Sequence, residues 1–295
     1  MLEHLRSAPR APERAVVIGA GGFVGGAILR QLAAAGIPAL GLTRREVDLL
    51  APDAAQCLRN MLKPSDSVVF VSAAAPAKTN AMLMQNLRMS EAASETFAAV
   101  PPAHLLYVSS DAIYADDANP VTERSPAAPS TLHGMMHAAR ELMLRSASPA
   151  PFAALRPTLI YGAADPHNGY GPNRFRRQAQ RGEPISIFGE GEERRDHVLV
   201  EDVALLARLI LEHRSVGALN AVSGRSVSFR EVAELVAAQF TPVARIISTP
   251  RPGLRPHLLH RHFDVTDLLA SFPSFRPTGL AEGIARVHRE TLERQ

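Results

Sequence analysis

The sequence has little cysteine, little lysine and no long apolar run, and each scarcity excludes a class of protein. Cys57 is the only cysteine among 295 residues, so an intramolecular disulfide is impossible and a reducing compartment is expected. No stretch approaches the roughly 20 apolar residues that a membrane helix needs. Residues 1–14 are polar and lack the apolar core of a signal peptide. Together these observations predict a cytoplasmic protein that does not span a membrane.

The positive charge is carried almost entirely by arginine, since Lys63 and Lys78 are the only lysines. The pI is near 9.4, yet the formal net charge is only +3. The arginines are scattered in short pairs, and no basic helix or long basic run could follow a nucleic-acid backbone. We therefore expect no nucleic-acid partner, and a weakly basic surface suited to small anionic ligands.

Apolar runs typical of buried strands alternate with segments of helical spacing through the first half of the chain. Strands are expected at residues 15–19, 39–42, 67–71, 105–109 and 152–160, and helices at residues 23–35, 81–99 and 132–146. This alternation indicates βαβ units with right-handed connections. The predicted fold is α/β, a doubly wound parallel sheet of the Rossmann type.

Beyond residue 162 the pattern is less regular, with loops rich in Gly and Pro expected at residues 163–172 and 250–256. We interpret residues 14–162 as a dinucleotide-binding Rossmann domain. Residues 163–295 are predicted to form mainly a smaller substrate-binding lobe, with segments that return to the Rossmann sheet.

A glycine loop, Gly19-Ala-Gly21-Gly22-Phe-Val-Gly25, lies between the first predicted strand and the first predicted helix. Glycines at these positions let the backbone approach a pyrophosphate, which then lies at the helix N-terminus. A tight strand-to-helix turn without a ligand would have the same glycines. The preceding strand and the following helix favour a dinucleotide, so NAD or NADP is the expected cofactor.

The second predicted strand is followed by Thr43-Arg44-Arg45, where an NAD site usually has an acidic residue. An acid there binds the ribose 2′-hydroxyl, whereas an arginine binds a 2′-phosphate. Arg44 therefore favours NADP slightly, although a solvated arginine pair would explain the same residues. Asp48 either faces the adenine edge or caps a turn.

Five later segments are matched in order, and they resemble the extended short-chain dehydrogenase/reductase family. The segments are Val68–Ala74, Leu106–Tyr114, Leu155–Gly162, Phe188–Asp202 and Arg251–Gly253. The family includes nucleotide-sugar epimerases, dehydratases and ketoreductases, and the resemblance extends from about Val16 to Val287. It implies that the cofactor is bound by Gly19, Gly22, Phe23, Val24, Gly25, Arg44, Asp48, Leu49, Ser72, Ala73, Ala74, Pro157 and Leu159.

The family's catalytic helix has Tyr-x-x-x-Lys, and the corresponding positions here are His133 and His137. Gly134 and Glu141 both match the family pattern and fix this register. The i, i+4 spacing puts both imidazoles on one helix face. By the same resemblance, the family's catalytic Ser or Thr is Ser110.

A histidine begins near pKa 6.5, whereas the family's tyrosine must be lowered from about 10, so His133 is the predicted acid/base. Ser110 would hold the reacting oxygen, and His137 would bind the nicotinamide ribose with fewer donors than a lysine. Two imidazoles beside an oxidised nicotinamide should both resist protonation. The alternatives are a pair that only fills space, a metal site, for which the sequence places no partner ligand, and a catalytically inactive NAD(P)-binding scaffold or sensor.

The expected substrate is a nucleotide sugar, because Arg195 and Arg251 fall in segments that approach a nucleotide diphosphate in the family. One of Arg174, Arg176 and Arg177, which follow a loop rich in Gly, Pro and Asn, is also expected to reach the substrate, and Arg174 is the candidate. Surface salt bridges with neighbouring glutamates are the alternative. Asp111 is a further catalytic candidate or a simple turn former. It resembles the middle residue of the Thr-Asp-Glu run of sugar 4,6-dehydratases, but Ala112 follows it and argues against that reaction. Epimerisation and 4-ketoreduction both remain open.

A homodimer is expected from the helices predicted at residues 81–99 and 132–146. Both are rich in methionine, which adapts to irregular packing. The family resemblance implies a four-helix interface made by these two helices. Packing of the same methionines against the sheet is the alternative.

Overall fold

Twelve strands are formed by the residues that this computed structural model describes, 2–251 and 259–293. Numbered along the chain, they are β1 (Leu2–His4), β2 (Ala15–Ile18), β3 (Ala39–Leu42), β4 (Ser67–Phe70), β5 (His104–Val108), β6 (Phe152–Pro157), β7 (Leu159–Tyr161), β8 (Ile185–Phe188), β9 (Arg194–Leu199), β10 (Ser215–Ala221), β11 (Ser226–Ser228) and β12 (Ile246–Thr249).

Seven of these strands form the central sheet, in the order β1-β10-β6-β5-β4-β2-β3. All neighbouring pairs are parallel except β1 with β10. The chain runs from β2 to β3 on one side and then to β4 on the other. A crevice therefore opens at the carboxyl ends of β2 and β4, which is where doubly wound sheets bind ligands.

Helices cover both faces of this sheet. The α-helices of the described residues are, in chain order, α1 (Phe23–Ala34), α2 (Ala54–Met61), α3 (Asn80–Ala99), α4 (Leu132–Ala147), α5 (Pro172–Gln180), α6 (Val200–His213), α7 (Phe229–Ala237), α8 (Thr266–Ser271) and α9 (Leu280–Leu292), of which α5, α7 and α9 pack in the second half of the chain rather than on this sheet. Along β2, Ala15 and Val17 belong to the apolar cluster on one face, and Val16 and Ile18 to the cluster on the other. Because both faces are buried, the strand is apolar at every position.

Two small sheets follow in the second half of the chain. One has the order β11-β9-β7 and the other pairs β12 with β8. Side chains from both sheets share a third apolar cluster with residues of α5, α7 and α9. The segment containing α6 and β10 returns to the central sheet, where β10 pairs with β6.

The doubly wound parallel sheet predicted from the sequence is confirmed, but the single strand predicted at residues 152–160 is wrong. The structure divides it into β6, in the central sheet, and β7, which pairs with β9. The pairing of β6 ends at Pro157, opposite Ala221. Proline has no amide hydrogen to continue the ladder, and the chain crosses to the second sheet after it.

Within residues 2–162, one strand and one α-helix were not predicted from the sequence. Strand β1 lies in the segment that was interpreted only as a polar N-terminus; Leu2 is buried and His4 hydrogen-bonds to the Ser215 hydroxyl at 2.8 Å. Helix α2 follows the turn after β3. None of the helices in the described part of the chain is long and apolar enough to cross a membrane.

Candidate functional site

A cavity of about 580 Å³ occupies the crevice at the carboxyl ends of the central strands. Its volume is within the range of ligand sites in proteins. Many of the residues predicted to act in binding or catalysis line it. They are Gly19, Gly22, Phe23, Val24, Gly25, Ala73, Ser110, Asp111, His133, His137, Pro157 and Leu159.

An adjoining cavity of about 190 Å³ shares Gly19 and Ala73 with the first. It is lined by the other residues expected to bind the cofactor, namely Arg44, Asp48, Leu49, Ser72 and Ala74. The two cavities thus follow one another along the crevice, as the two halves of a dinucleotide would. We call them the large cavity and the small cavity.

Two glycines of the loop are required by close backbone contacts. Gly19 has φ of +101°, and a Cβ there would lie 2.7 Å from the backbone nitrogen of Ser72. A Cβ on Gly25 would overlap the carbonyl oxygen of Gly19. The amide of Gly22 donates to that same carbonyl at 3.0 Å. These contacts bring the start of α1 against the end of β2.

The N-terminus of α1 faces the large cavity without a side-chain cap. Gly22 occupies the N-cap position and offers no capping side chain, while Phe23 and Val24 line the cavity. The first amides of a helix have no intrahelical acceptor and carry partial positive charge. This end of the cavity therefore suits an anionic group such as a pyrophosphate.

The turn after β4 is held by Asn86, a residue of α3 that sequence reasoning missed. The Asn86 side-chain oxygen accepts from the amide of Ala74 at 2.9 Å, and its nitrogen donates to the carbonyl of Ala74 at 3.0 Å. Asn86 is fully buried. A polar residue in a helical stretch gives no signal of a contact made 12 residues earlier in the chain.

At the small cavity, Arg44 is 78% exposed and forms a salt bridge of 2.9 Å with Asp48. Asp48 also accepts from the amide of Leu50 at 3.1 Å, so it caps a turn. The pKa of Asp48 is lowered first by this backbone hydrogen bond and then by Arg44. Because the ion pair is exposed, it holds Arg44 only weakly.

Gly134 explains how α4 brings the histidines to the cavity. A Cβ at this position would collide with the carbonyl oxygen of Ala112, in the short 3₁₀ turn after Ser110. Further along the helix, Glu141 forms an ion pair of 2.7 Å with Arg156 of β6. The two residues that fixed the sequence register are therefore the ones that dock α4 onto the sheet.

His133 and His137 lie side by side, with ring centroids 4.7 Å apart and the rings nearly perpendicular. His137 Nδ1 is 2.7 Å from the hydroxyl of Tyr107, whereas His133 Nδ1 is buried with no hydrogen-bond partner among the described residues. Burial lowers the pKa of His133. Burial, followed by His133 and Arg140, lowers the pKa of His137 well below its usual value. Both rings are therefore neutral at neutral pH.

Ser110 and Asp111 lie at the end of β5, on the wall of the large cavity. The Ser110 hydroxyl accepts from the amide of Ala112 at 3.1 Å and donates to Asp111 at 3.4 Å. Burial raises the pKa of Asp111, and the nearby Arg261 opposes that rise. Thr158 donates to the second oxygen of Asp111 at 3.4 Å. Asp111 thus both begins a turn and presents a carboxyl group to the cavity.

The three arginines expected at the substrate converge on one cluster, although none of them lines the large cavity. Arg195 and Arg251 both pair with Glu193, at 2.6 and 2.9 Å. Arg174 and Arg251 both lie over the ring of Phe188, with the guanidinium carbons 5.8 and 5.5 Å from its centroid. Arg195 and Arg251 thus form salt bridges, and their side chains, 14% and 22% exposed, are mostly buried rather than at the surface. Pro252 and Gly253, from the predicted substrate loop, lie outside the described residues.

Sequence reasoning also missed a histidine and an arginine that reach the site from other elements. His197 of β9 is buried and lines the large cavity. Arg140, three residues after His137, is fully buried beneath the turn after β4 and donates to the carbonyl of Ser72 at 2.6 Å. Both occupy positions where the periodicity of the sequence predicts a buried core residue rather than a residue of the site.

No group of three or more His, Cys, Asp and Glu side chains that could hold a metal ion occurs within residues 2–251 and 259–293. The site is therefore described by the glycine loop, the Ser110 turn and the two imidazoles.

Three solved structures illustrate what the chain is similar to. The first is UDP-glucose 4-epimerase from Thermus thermophilus in complex with NAD, 25% identical, with a TM-score of 0.81 over 95% of this chain and 99% of that one. The second, a GDP-L-fucose synthetase from Naegleria fowleri bound to NADP, is 16% identical, with a TM-score of 0.85 over 99% and 97%.

The third is UDP-glucose 4-epimerase from Thermotoga maritima with UDP-glucose, 20% identical, with a TM-score of 0.83 over 95% of this chain and 99% of that one. The family model described as "NAD dependent epimerase/dehydratase family" matches residues 15–222, which include the glycine loop, the Ser110 turn and both histidines. The chain belongs to the NAD dependent epimerase/dehydratase family.

Proposed function

We propose that this chain is an NAD(P)-dependent epimerase or 4-ketoreductase of a nucleotide sugar, in which His133 is the acid/base. One observation carries the proposal. His133 and His137 line the same cavity as the glycine loop and Ser110. The resemblance drawn from the sequence assigns them to the positions of the family's tyrosine and lysine. The imidazoles therefore share a cavity with the expected cofactor.

The residues present fit a nicotinamide dinucleotide. The contacts at Gly19 and Gly25 leave no room for a Cβ, and the uncapped N-terminus of α1 would hold the pyrophosphate. Pro157 and Leu159 would flank the nicotinamide half of the cofactor. The bound cofactor would take a hydride from the sugar or return one to it.

His133 would exchange the proton of the reacting hydroxyl. Its imidazole is neutral at neutral pH because burial lowers its pKa, so it can accept a proton without the help that a phenol needs. Ser110 would hold the same oxygen by hydrogen bond. Asp111 is the second carboxyl candidate on this wall, and it would assist proton movement there.

Cofactor choice would favour NADP through Arg44. This arginine lines the small cavity and is held only by an exposed ion pair with Asp48, so it can turn toward a 2′-phosphate. The relatives include proteins with NAD and with NADP, and Arg44 is the feature of this chain that supports the second.

The sugar nucleotide would be recognised through the arginine cluster. Arg174 lies over the ring of Tyr170, which lines the large cavity. Arg195 and Arg251 would contribute guanidinium donors for a diphosphate, with Glu193 orienting both. The bound UDP-glucose of the Thermotoga maritima relative supports a nucleotide sugar as the substrate class.

A homodimer would form through α3 and α4. Met84 on α3 and Met135 and Leu142 on α4 are 50%, 47% and 58% exposed. Large apolar side chains exposed on two adjacent helices support association through that face. Light scattering coupled to gel filtration would show a dimeric mass.

The test is to replace His133 with Phe and incubate the protein with NAD or NADP and a panel of nucleotide sugars. Loss of the acid/base should lower turnover by about 10²- to 10⁴-fold. The affinity for NAD(P), measured by calorimetry, should be unchanged, because the substitution leaves the glycine loop unaltered. His288→Phe on α9, outside both cavities, is the matched control.

Absorbance of the nicotinamide and chromatography of the sugars separate the two reactions, since a reductase changes the cofactor and an epimerase regenerates it. Undiminished turnover by His133→Phe would contradict the assignment. Binding of NAD(P) with no turnover of any sugar by the unaltered chain would instead favour a cofactor-binding scaffold or sensor.

A further inference from the structure

The Tyr107 hydroxyl and His137 Nδ1 are 2.7 Å apart, and both residues are buried. Tyr107 is on β5, the strand that leads into the Ser110 turn, and His137 is on α4. This hydrogen bond therefore joins the strand that carries Ser110 to the helix that carries both imidazoles.

The direction of this hydrogen bond follows from the acceptors that are available to the Tyr107 hydroxyl hydrogen. Within the described residues, His137 Nδ1 is the only hydrogen-bond partner of the Tyr107 hydroxyl. If Nδ1 carried the hydrogen, the phenol hydrogen would be buried with no acceptor, which costs more than an unused lone pair. The phenol therefore donates to Nδ1, and the neutral ring carries its hydrogen on Nε2.

Burial, then His133 and then Arg140 lower the pKa of His137, so the ring resists a second proton. The guanidinium of Arg140 is fully buried and donates to the Ser90 hydroxyl and to the carbonyl of Ser72, each at 2.6 Å. It also lies 5.2 Å from the centroid of the Tyr107 ring. Over residues 2–251 and 259–293, no ion pair joins Arg140 to a carboxylate. An uncompensated cation at this place opposes a charge on His137.

His133 has no hydrogen bond, among the described residues, like that of His137 with Tyr107. Its Nδ1 is buried with no partner, so no described group fixes which ring nitrogen carries the hydrogen. His137 Nε2, in turn, forms no hydrogen bond with a described residue and is not sealed from the cavity that His137 lines. Tyr107 thus fixes which nitrogen of His137 carries the hydrogen, whereas no described group fixes this for His133.

We infer that Tyr107 is a positioning residue that holds His137 as the Nε2–H tautomer, so that His137 presents one hydrogen-bond donor to a hydroxyl oxygen of the bound cofactor or sugar. The identity of that oxygen rests on the proposed function, whereas the tautomer does not. Of the two imidazoles, only His133 is then left to exchange a proton.

The test is long-range ¹H–¹⁵N correlation NMR of the ¹⁵N-histidine-labelled protein, without ligand and at neutral pH. The signal of His137, assigned by its disappearance in His137→Gln, should have the pattern of an Nε2–H tautomer. An Nδ1–H pattern, or an imidazolium, would overturn the inference. This readout needs no turnover, so it stands apart from the failure of the proposed function.

Tyr107→Phe should remove this control and leave His137 as a mixture of tautomers. Tyr114→Phe is the matched variant, because its buried hydroxyl donates to Asn220 at 2.7 Å and contacts neither histidine. It should leave the His137 signal unchanged. If both variants altered the signal alike, or if neither did, Tyr107 would have no positioning role.

Addition of NAD(P) alone and of UDP-glucose alone then distinguishes the two sources of the hydroxyl. The ligand that hydrogen-bonds to His137 should shift the Nε2 resonance of His137. The affinity for that ligand should fall about threefold in Tyr107→Phe, because the donor is then present only part of the time. An unshifted Nε2 resonance with both ligands would contradict the donor role.

Discussion

The glycine loop and the face of α4 border the same cavity, yet they relate to the family in opposite ways. At the glycine loop the geometry leaves no choice of residue, since a side chain at Gly19 or Gly25 would meet backbone atoms. At the α4 face, contacts with Ala112 and Arg156 hold Gly134 and Glu141, while His133 and His137 are predicted from the sequence to occupy the positions of the family's tyrosine and lysine. Backbone contacts therefore determine which residues the glycine loop can contain. The residues at positions 133 and 137 are constrained instead by the chemistry of the cavity that they face.

The surroundings of His137 show why an imidazole suits this position. A lysine there would place a second cation beside Arg140, which is already buried without a carboxylate partner among the described residues. A neutral imidazole hydrogen-bonded to Tyr107 avoids that repulsion. The positive charge on this part of α4 is carried by Arg140, whose guanidinium donates to the carbonyl of Ser72.

The largest expected effect on cofactor binding comes from a substitution in the glycine loop. In Gly25→Ala the new methyl group would overlap the carbonyl oxygen of Gly19 and push the start of α1 away from the cavity. Overpacking of about 1–3 kcal/mol predicts a loss of NAD(P) affinity of about 10- to 100-fold, measured by calorimetry.

Gly26→Ala is the control for that prediction, since its Cβ would lie 3.4 Å from the nearest atom. It should bind NAD(P) like the unaltered protein. Normal NAD(P) binding by Gly25→Ala would mean that the cofactor does not lie against the loop.

A smaller effect on cofactor binding is expected at the small cavity, at the other end of the crevice. Arg44→Ala should weaken NADP binding about tenfold and leave NAD binding unchanged, because only NADP has the 2′-phosphate. Arg45→Ala is the matched control, since Arg45 is exposed and does not line the small cavity. Equal losses for NADP and NAD in Arg44→Ala would show that Arg44 does not read the phosphate.

The sequence was informative where one local pattern determines one structure. Apolar runs such as residues 15–18 predicted the central strands because both faces of the sheet are covered. The register of α4 followed from Gly134 and Glu141, each of which is constrained by a contact with the sheet or its turns.

Contacts between distant segments could not be predicted in this way. Asn86, Tyr107 and Arg140 lie on different elements and meet only when α3 and α4 pack beside β4 and β5. The division of residues 152–160 into two strands likewise depends on the partner strands β10 and β9. In each case the local pattern predicts burial but not the partner.

The most direct test of His133 as the acid/base is the pH profile of kcat in the direction that removes a proton from the sugar hydroxyl. A general base must be neutral, and burial lowers the pKa of His133 below the ordinary 6.5, so activity should be full at neutral pH and fall only as the pH drops through that lowered value. In His133→Tyr the rise should move toward the phenol range near 10. Identical profiles for the two proteins would contradict the account.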